Sequence, residues 1–174
     1  MLYDNAQLAR VYLHTWQVTG EPFYRAIVEE ILHYAVREMT DGSTTLTTGP
    51  AGDFYSTEDE DSEGEEGKFF VCAPEEIHTI RDDQADSFIA AYSVTGRGNF
   101  EGKNILELKG GLEEREALAE ARRRLFEARE DRVHPGRDDK VLTSWNRLML
   151  AAFAEAARVL KRDDYLEVAE QSSS

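Results

Sequence analysis

The sequence predicts an all-α domain built from paired helices, and two observations carry this prediction. Apolar residues recur every three or four positions near both ends of the 174-residue chain, the spacing of a helix with one buried face. The two ends also resemble each other at a constant offset, as in arrays of helical hairpins that share one core. With Asn5 aligned on Asn146, the matched positions are Leu8 with Met149, Tyr12 with Phe153, Val18 with Val159, Tyr24 with Tyr165 and Ile27 with Val168.

The first hairpin is predicted close to the start of the chain. Asp4 is the expected cap of its first helix, Gly20 ends that helix, and Pro22 suits the first turn of the second. Because the connection is short, the two helices are expected to be antiparallel neighbours. The expected buried stripes are Leu8, Val11, Tyr12, Thr15, Trp16 and Val18 in the first helix and Phe23, Ile27, Ile31, Leu32, Ala35 and Met39 in the second.

The middle of the chain alternates loops with shorter elements. Helical periodicity disappears over residues 41–73, which predicts a loop-rich insertion with short β pieces. Within it, a short strand is expected at 69–71. The elements expected after it are helices from 74 and over 83–94, a glycine-rich loop at 96–103, an extended run at 104–108, and a long helix at about 113–130. A last hairpin, capped by Asp138 or Asp139, follows with a helix over 145–160, and residues 172–174 are an expected disordered tail after a single domain at 1–171.

Composition restricts the classes of function. The net charge of −15 argues against a nucleic-acid or acidic-membrane partner, because phosphate binding needs a basic face. A single cysteine, Cys72, excludes an internal disulfide, and no apolar run approaches the roughly 20 residues of a membrane span. We therefore expect a soluble, cytoplasmic protein, with no cofactor indicated by the sequence.

The most unusual segment is an acidic run held between aromatic pairs. Seven of the nine residues from Glu58 to Glu66 are acidic, and the pairs Phe54-Tyr55 and Phe69-Phe70 flank them. Buried aromatic side chains would anchor these carboxylates to a folded surface, where they could bind a cation, accept hydrogen bonds from sugar hydroxyls, or act as acid and base. An EF-hand alignment starting at Asp59 fails because its twelfth position is Phe70 rather than glutamate, so no metal ligands are assigned.

Four segments carry a family resemblance that covers nearly the whole chain. They are MLYDNAQL at 1–8, FYS at 54–56 followed by DSEGEEGKF at 61–69, NFEGKNIL at 99–106 and DDKVLTSWN at 138–146. Together they resemble the thioredoxin-domain protein family related to spermatogenesis-associated protein 20. The resemblance implies a partial α/α toroid of the six-hairpin glycosidase-like type, accompanied in the full-length protein by the remaining toroid helices and a thioredoxin-like domain. In such a toroid, the starts of inner helices and their loops line a funnel.

That placement gives the candidate site residues. The expected catalytic carboxylates are Asp4, Glu58, Asp59, Asp61, Asp138 and Asp139. The expected substrate-binding residues are Tyr3, Asn5, Tyr55, Lys68, Asn99, Asn104, Lys140, Trp145 and Asn146. The competing interpretation for each acid is helix capping, solvation or pairing with a basic residue.

Two functional hypotheses follow from the resemblance. The first is a carbohydrate-active domain, a sugar hydrolase or epimerase in type, with a carbohydrate ligand. The second is a catalytically degenerate toroid that serves as a protein-interaction scaffold for the thioredoxin-like domain. The second is motivated by Cys72, which stands where the family usually has a tryptophan. In either case a partial toroid leaves apolar helix faces uncovered, which predicts self-association through them.

Overall fold

The computed structural model describes residues 1–40, 53–80 and 82–171. Among these residues the fold is mostly helical, with 8 helices and 60% helix alongside small two-stranded sheets, which confirms the predicted helical class. They form two compact units, one from Met1–Glu58 with Arg137–Ser174 and one from Asp59–Gly136. The predicted tail at 172–174 and residues 41–52 of the predicted loop lie outside the described residues, and the single domain at 1–171 stays a prediction.

The first unit opens with the predicted hairpin, formed by α1 (Leu2–Thr19) and α2 (Pro22–Glu38). Gly20 ends α1 in the left-handed region at φ 73°, where its N–H donates to Trp16 O. Glycine adopts this conformation without the steric penalty of a Cβ atom. The two helices are antiparallel neighbours, since Tyr12 of α1 stacks on Tyr24 near the start of α2.

Two predictions for α1 were wrong. Its N-cap is Met1, so Asp4 lies inside the first turn. A carboxylate there stabilises the helix by interacting with the positive end of its dipole. The buried face also departs from the predicted stripe, of which Tyr12 and Trp16 do pack against the core, because α1 is apolar on two sides. The buried residues are Leu2, Ala6, Ala9 and Leu13, whereas Leu8, Val11 and Val18 are 47%, 59% and 87% exposed.

The unit closes with a second hairpin of the same design, formed by α7 (Thr143–Leu160) and α8 (Asp163–Gln171). The constant offset between the chain ends holds at the cap positions. Met1 and Leu142 are the N-caps of α1 and α7, and Gly20 and Lys161 are their left-handed C-caps. This agreement supports the predicted internal repeat. The predicted capping of α7 by Asp138 or Asp139 was wrong, because Leu142 precedes the helix and no side chain caps it.

The core of the first unit is shared by the two hairpins. α1 packs against both α2 and α7, and α7 packs against α8. Phe54 is fully buried and stacks on Phe153 at a ring-centroid distance of 5.7 Å, and Phe153 meets Tyr165 edge-on. A short antiparallel ladder pairs β1 (Thr57–Glu58) with β4 (Arg137–Asp138), so the chain leaves and re-enters this unit at adjacent points.

The second unit has its own smaller core around Phe88. Its elements are β2 (Asp61–Ser62), β3 (Glu65–Glu66), α3 (Pro74–Ile80), α4 (Asp82–Ala91), α5 (Leu112–Ala117) and α6 (Ala119–Glu130). β2 and β3 form an antiparallel hairpin within the acidic run. Phe69 is buried, as the anchoring argument predicted, whereas Phe70 is 39% exposed.

Two details of this unit differ from the prediction. Residues 69 and 70 belong to a turn, and the predicted strand at 69–71 is absent from the described residues. At the start of the extended run predicted at 104–108, a β-bridge joins Asn104 to Cys72. The long helix predicted at 113–130 is interrupted at Leu118, whose side chain is 5% exposed because it turns into the second core.

Among the described residues, no helix combines the length and the apolar content needed to cross a bilayer.

Candidate functional site

The candidate residues of the first unit lie around the starts of α1 and α7. The extended segment at 54–56 is held at both helix starts by hydrogen bonds. Leu2 N donates to Ser56 O at 2.9 Å. Asn146 makes a two-way bond to the buried Phe54 backbone, in which Nδ2 donates to Phe54 O and Oδ1 accepts from Phe54 N, both at 2.8 Å. Asn146 is thus fully engaged with the backbone, which is the structural role of a buried amide.

An aromatic pair lies beside this segment. Tyr3 of α1 and Trp145 of α7 are both partly buried, and their ring centroids are 4.8 Å apart at an angle of 56°. Asn5, one residue past Asp4, donates from Nδ2 to Met1 O at 3.0 Å. Aromatic rings that keep partial exposure can stack on the apolar face of a sugar, so this pair is the feature of the predicted site that best suits a ligand.

Glu58 is paired with a tyrosine. Tyr34 of α2 donates its hydroxyl hydrogen to Glu58 Oε2 at 2.6 Å. The pKa of Tyr34 is raised, first by burial and then by the hydrogen bond to the Glu58 carboxylate, so the phenol keeps its proton. Glu58 therefore accepts a hydrogen bond from a buried phenol that stays protonated.

Arg137 of β4 connects several parts of the first unit. Its guanidinium donates to Thr40 O at 2.7 Å and to Asp139 Oδ1 at 3.0 Å. It also lies 4.4 Å from the ring centroid of Tyr55, in a cation–π contact. One face of Tyr55 is therefore covered by arginine, and Asp139 has a cationic partner.

The remaining acids of this unit are exposed or paired. Lys140 Nζ donates to Asp138 Oδ2 at 2.9 Å, and this bond lowers the pKa of Asp138. Ser56 donates from both N and Oγ to the backbone carbonyl of Asp138. Asp4 lies in the first turn of α1 with its side chain 43% exposed.

The acidic-loop candidates Asp59, Asp61 and Lys68 lie in the second unit. Asp59 Oδ1 accepts from the backbone N–H of Glu60 at 2.8 Å and so stabilises the turn. Asp61 is exposed in β2, where it pairs with Glu66 of β3. Lys68 Nζ lies 2.9 Å from Glu65 and 3.3 Å from a carboxylate oxygen of Glu63, so a lysine neutralises part of the run.

Asn99 and Asn104 hold the glycine-rich loop together. Asn104 is fully buried, and its amide exchanges two hydrogen bonds with the Thr95 backbone at 2.9 and 3.0 Å. Asn99 makes the corresponding pair with the Ile105 backbone, at 3.0 and 2.7 Å. Both amides are occupied by the chain itself, so their position argues for loop architecture rather than ligand binding.

Basic neighbours shift the pKa values of several described carboxyl groups, always in the same direction. Every described carboxyl with a shifted pKa is shifted downward by a basic partner, and the largest shift takes the pKa of Glu120 to about 2 beside Arg123 and Arg124. A general acid in glycoside hydrolysis needs a raised pKa. Over residues 1–40, 53–80 and 82–171, no group of three or more His, Cys, Asp or Glu side chains is arranged to hold a metal ion.

The residues that organise these surfaces were largely missed from the sequence. Arg137 and Tyr34 belong to none of the sequence motifs. The same holds for Arg132 of the second unit, which donates to Phe69 O at 2.8 Å and to Val71 O at 2.7 Å. Each of the three has at least one partner more than 20 positions away, as in the bond between Tyr34 and Glu58. Sequence periodicity reports local structure, so it carries no signal for such contacts.

Comparisons with known proteins place the chain among distant relatives. No family model matches it. It is similar to Spermatogenesis-associated protein 20 of Homo sapiens, with 29% identity over 97% of this chain and 25% of the relative. The protein of the same name from Rattus norvegicus is 28% identical over 92% of this chain and 24% of that relative. The chain thus spans about a quarter of the length of these relatives. It is a distant homologue of Spermatogenesis-associated protein 20.

Proposed function

We propose that this chain is an interaction module of a longer protein, in which helical hairpins of one repeat stack head to tail as part of an α/α toroid. The two hairpins of the first unit are adjacent members of that stack. Repeat proteins bury a continuous core only when neighbouring repeats cover one another. The observation that carries the proposal is an uncovered face on α1.

The packing of α7 on α1 shows which face of α7 contacts the neighbouring hairpin. α7 directs Trp145 to Tyr3 and Glu155 to two side chains of α1. Glu155 accepts from Arg10 Nε at 2.9 Å and lies 2.7 Å from His14 Nε2. On the same side of α7, Met149 and Ala152 are 0% and 1% exposed, so this face is the buried side of the inner helix.

The equivalent face of α1 is open. The repeat maps Met149 onto Leu8, Ala152 onto Val11 and Val159 onto Val18. These α1 positions are 47%, 59% and 87% exposed. An apolar stripe that is buried in one repeat and exposed in the other fits a further hairpin of the same repeat, docked through the other side of its inner helix.

The chain alone offers a direct test, because a second copy can supply the missing hairpin. We expect concentration-dependent self-association in sedimentation velocity, and the substitution Val11→Glu is expected to weaken it by about tenfold or more. Val133→Glu is the matched control, since Val133 has a similar exposure of 57% but lies in the second unit. A stable monomer at all concentrations, or equal weakening by both variants, would contradict the proposal.

The state of the carboxylates supports an interaction module over a hydrolase. Asp138 and Asp139 are paired with Lys140 and Arg137, and Glu58 accepts from Tyr34. In the longer protein we expect the module to contact the thioredoxin-like domain implied by the family resemblance, with any thiol chemistry in that domain. Thiol-dependent activity that survives removal of the thioredoxin-like domain would contradict this assignment.

A second candidate function is carbohydrate binding, favoured by the pair of Tyr3 and Trp145. Both tryptophans of the chain, Trp16 and Trp145, lie in the first unit, so a bound sugar should change Trp145 fluorescence. A Trp16→Phe background isolates that signal, and Trp145→Phe in the same assay is the control for its origin. If a broad panel of sugars and oligosaccharides leaves the fluorescence and the heat of titration unchanged, carbohydrate binding is excluded and the interaction module stands alone.

A further inference from the structure

An apolar cavity in the second unit lies outside the predicted site and outside the proposed docking face. Its volume is about 150 Å³, and it lies between α4, α6 and the residues that follow the acidic run. Phe88 and Tyr92 form one wall, at 1% and 8% exposure, and Leu125 and Phe126 of α6 also line it. Phe70 lines the cavity and is 39% exposed, so the cavity opens to solvent on that side.

The shape of the walls suits a flat ring. Phe88 and Tyr92 are stacked, with ring centroids 4.4 Å apart and planes inclined by 18°. Phe126 supplies a further ring to the lining, and its ring carries the guanidinium of Arg129 at 5.0 Å. Aromatic walls favour an aromatic guest through stacked or edge-on contact. A cavity of about 150 Å³ lined by apolar side chains is large enough for benzene.

The charge of the lining is opposite to that of the chain. The protein has a net charge of −15, yet the charged groups that line this cavity are Arg122 and Arg129. Arg129 Nη2 donates to Glu130 at 3.2 Å. Arg129 Nε, by contrast, is buried and has no hydrogen-bond partner among the described residues. An unmet donor on a cation beside an apolar cavity is suited to an anionic acceptor.

We propose that this cavity binds a small aryl carboxylate, a single aromatic ring bearing one carboxylate group. The ring lies against Phe88, Tyr92 and Phe126. Arg129 Nε is covered in the empty cavity, so the guanidinium turns this donor toward the carboxylate on binding, and Arg122 adds a second positive charge. Apolar contact alone would admit neutral rings equally well. The two arginines are the features that select the acid.

The cavity contains its own reporter. Cys72 lines it, is 6% exposed and is the only cysteine of the chain. Burial raises the pKa of its thiol, so it reacts slowly as the neutral form. A guest in the cavity would slow alkylation of this thiol further, and mass spectrometry of the whole chain reads the modification without background from other cysteines.

The experiment compares phenylacetate and benzoate with the neutral benzamide, using iodoacetamide labelling of Cys72 and calorimetry. We expect the acids to bind and to protect Cys72, and benzamide to bind about tenfold more weakly. Arg129→Gln is expected to lose about tenfold in affinity for the acids and to leave benzamide binding unchanged. Arg158→Gln, an exposed arginine on α7 in the first unit, is the matched control.

Each outcome decides the proposal. Acid-selective binding that depends on Arg129 supports it, and Arg129→Lys should retain part of the selectivity because it keeps the charge but loses the Nε donor. Equal binding of acids and benzamide indicates an apolar cavity without anion recognition and overturns it. Absence of binding, with thermal melts that show every variant folded, also overturns it.

Discussion

Asn5 and Asn146 occupy equivalent positions in α1 and α7, but Asn146 makes additional hydrogen bonds to a buried segment. Each donates from Nδ2 to the carbonyl four residues earlier, Met1 O at 3.0 Å and Leu142 O at 3.3 Å. Asn146 additionally exchanges two bonds of 2.8 Å with the backbone of Phe54, which is fully buried. The second copy of the repeat therefore fixes the segment that crosses the helix starts.

Asn146→Ala is expected to lower the free energy of unfolding by about 2–4 kcal/mol, because it leaves a buried N–H and a buried C=O of Phe54 without partners. The measurement is equilibrium urea unfolding followed by tryptophan fluorescence, since both tryptophans belong to the first unit. Asn5→Ala is the control from the other copy and should cost about 1 kcal/mol or less. Equal losses at the two positions would contradict this account.

The C-caps of α1 and α7 give a reciprocal prediction. Lys161 adopts φ 57° where the equivalent residue, Gly20, adopts φ 73°. Lys161→Gly is expected to stabilise the first unit by about 0.5–1 kcal/mol, because a side chain in the left-handed region is strained. Gly20→Ala is expected to destabilise it by about 1 kcal/mol through backbone strain alone, since a Cβ there would meet no atom within 4 Å. Thermal melts of both variants test the signs, and a destabilising Lys161→Gly would refute the equivalence of the caps.

The ion pair between Glu155 and α1 predicts an acid-sensitive helix contact. His14, followed by Arg10, lowers the pKa of Glu155 in the folded protein. Because the folded pKa lies below the unfolded value, the contribution is present above about pH 4.3 and is lost as the pH falls through the folded pKa. Glu155 is partly exposed, so the loss should be below about 1 kcal/mol. Urea unfolding from pH 7 to 3 should show a smaller acid loss in Glu155→Gln than in the parent chain, and identical profiles would contradict the prediction.

Arg132 is expected to organise the turn that follows the acidic run. Its Nη1 donates to Phe69 O and Val71 O, and its Nη2 lies 3.0 Å from Glu76. Arg132→Met removes these donors and should increase hydrogen exchange at the Val71 and Cys72 amides by about tenfold or more. Arg123→Gln on the exposed side of α6 is the control and should leave these amides unchanged. Unchanged exchange in Arg132→Met would show that the turn is held by other contacts.

Local signals in the sequence located most of the helical framework. The left-handed stop at Gly20, the first-turn Pro22 and the repeated hairpin could be predicted because each depends on residues within one or two helical turns. The buried face of α1 could not, since Leu8 and Val11 are as apolar as Leu13 and only the neighbouring hairpin decides which side is covered. The break at Leu118 was missed for the same reason, because the second core draws that side chain inward.

The sequence motifs identified residues of the candidate site, but they did not predict most of the contacts that those residues make. The motifs include Tyr3 and Trp145, whose rings are in contact. They also include Asn146, whose side chain binds the backbone of Phe54. Pairing of the acids depends on Arg137, Tyr34 and Lys140. Lys140 and Arg137 are each two positions from the acid with which they pair, so a local pattern could suggest those contacts, whereas Tyr34 is 24 positions from Glu58.

The ladder between β1 and β4 has an evolutionary and practical consequence. Thr57 faces Asp138 across this ladder, so the two connections to residues 59–136 leave the helical scaffold side by side. A segment whose ends are already adjacent can lengthen, shorten or be exchanged with little change in the entropy of closing the loop. A short turn joining Glu58 to Arg137 would give a minimal two-hairpin protein, and the excised stretch is a natural position for grafting foreign sequences.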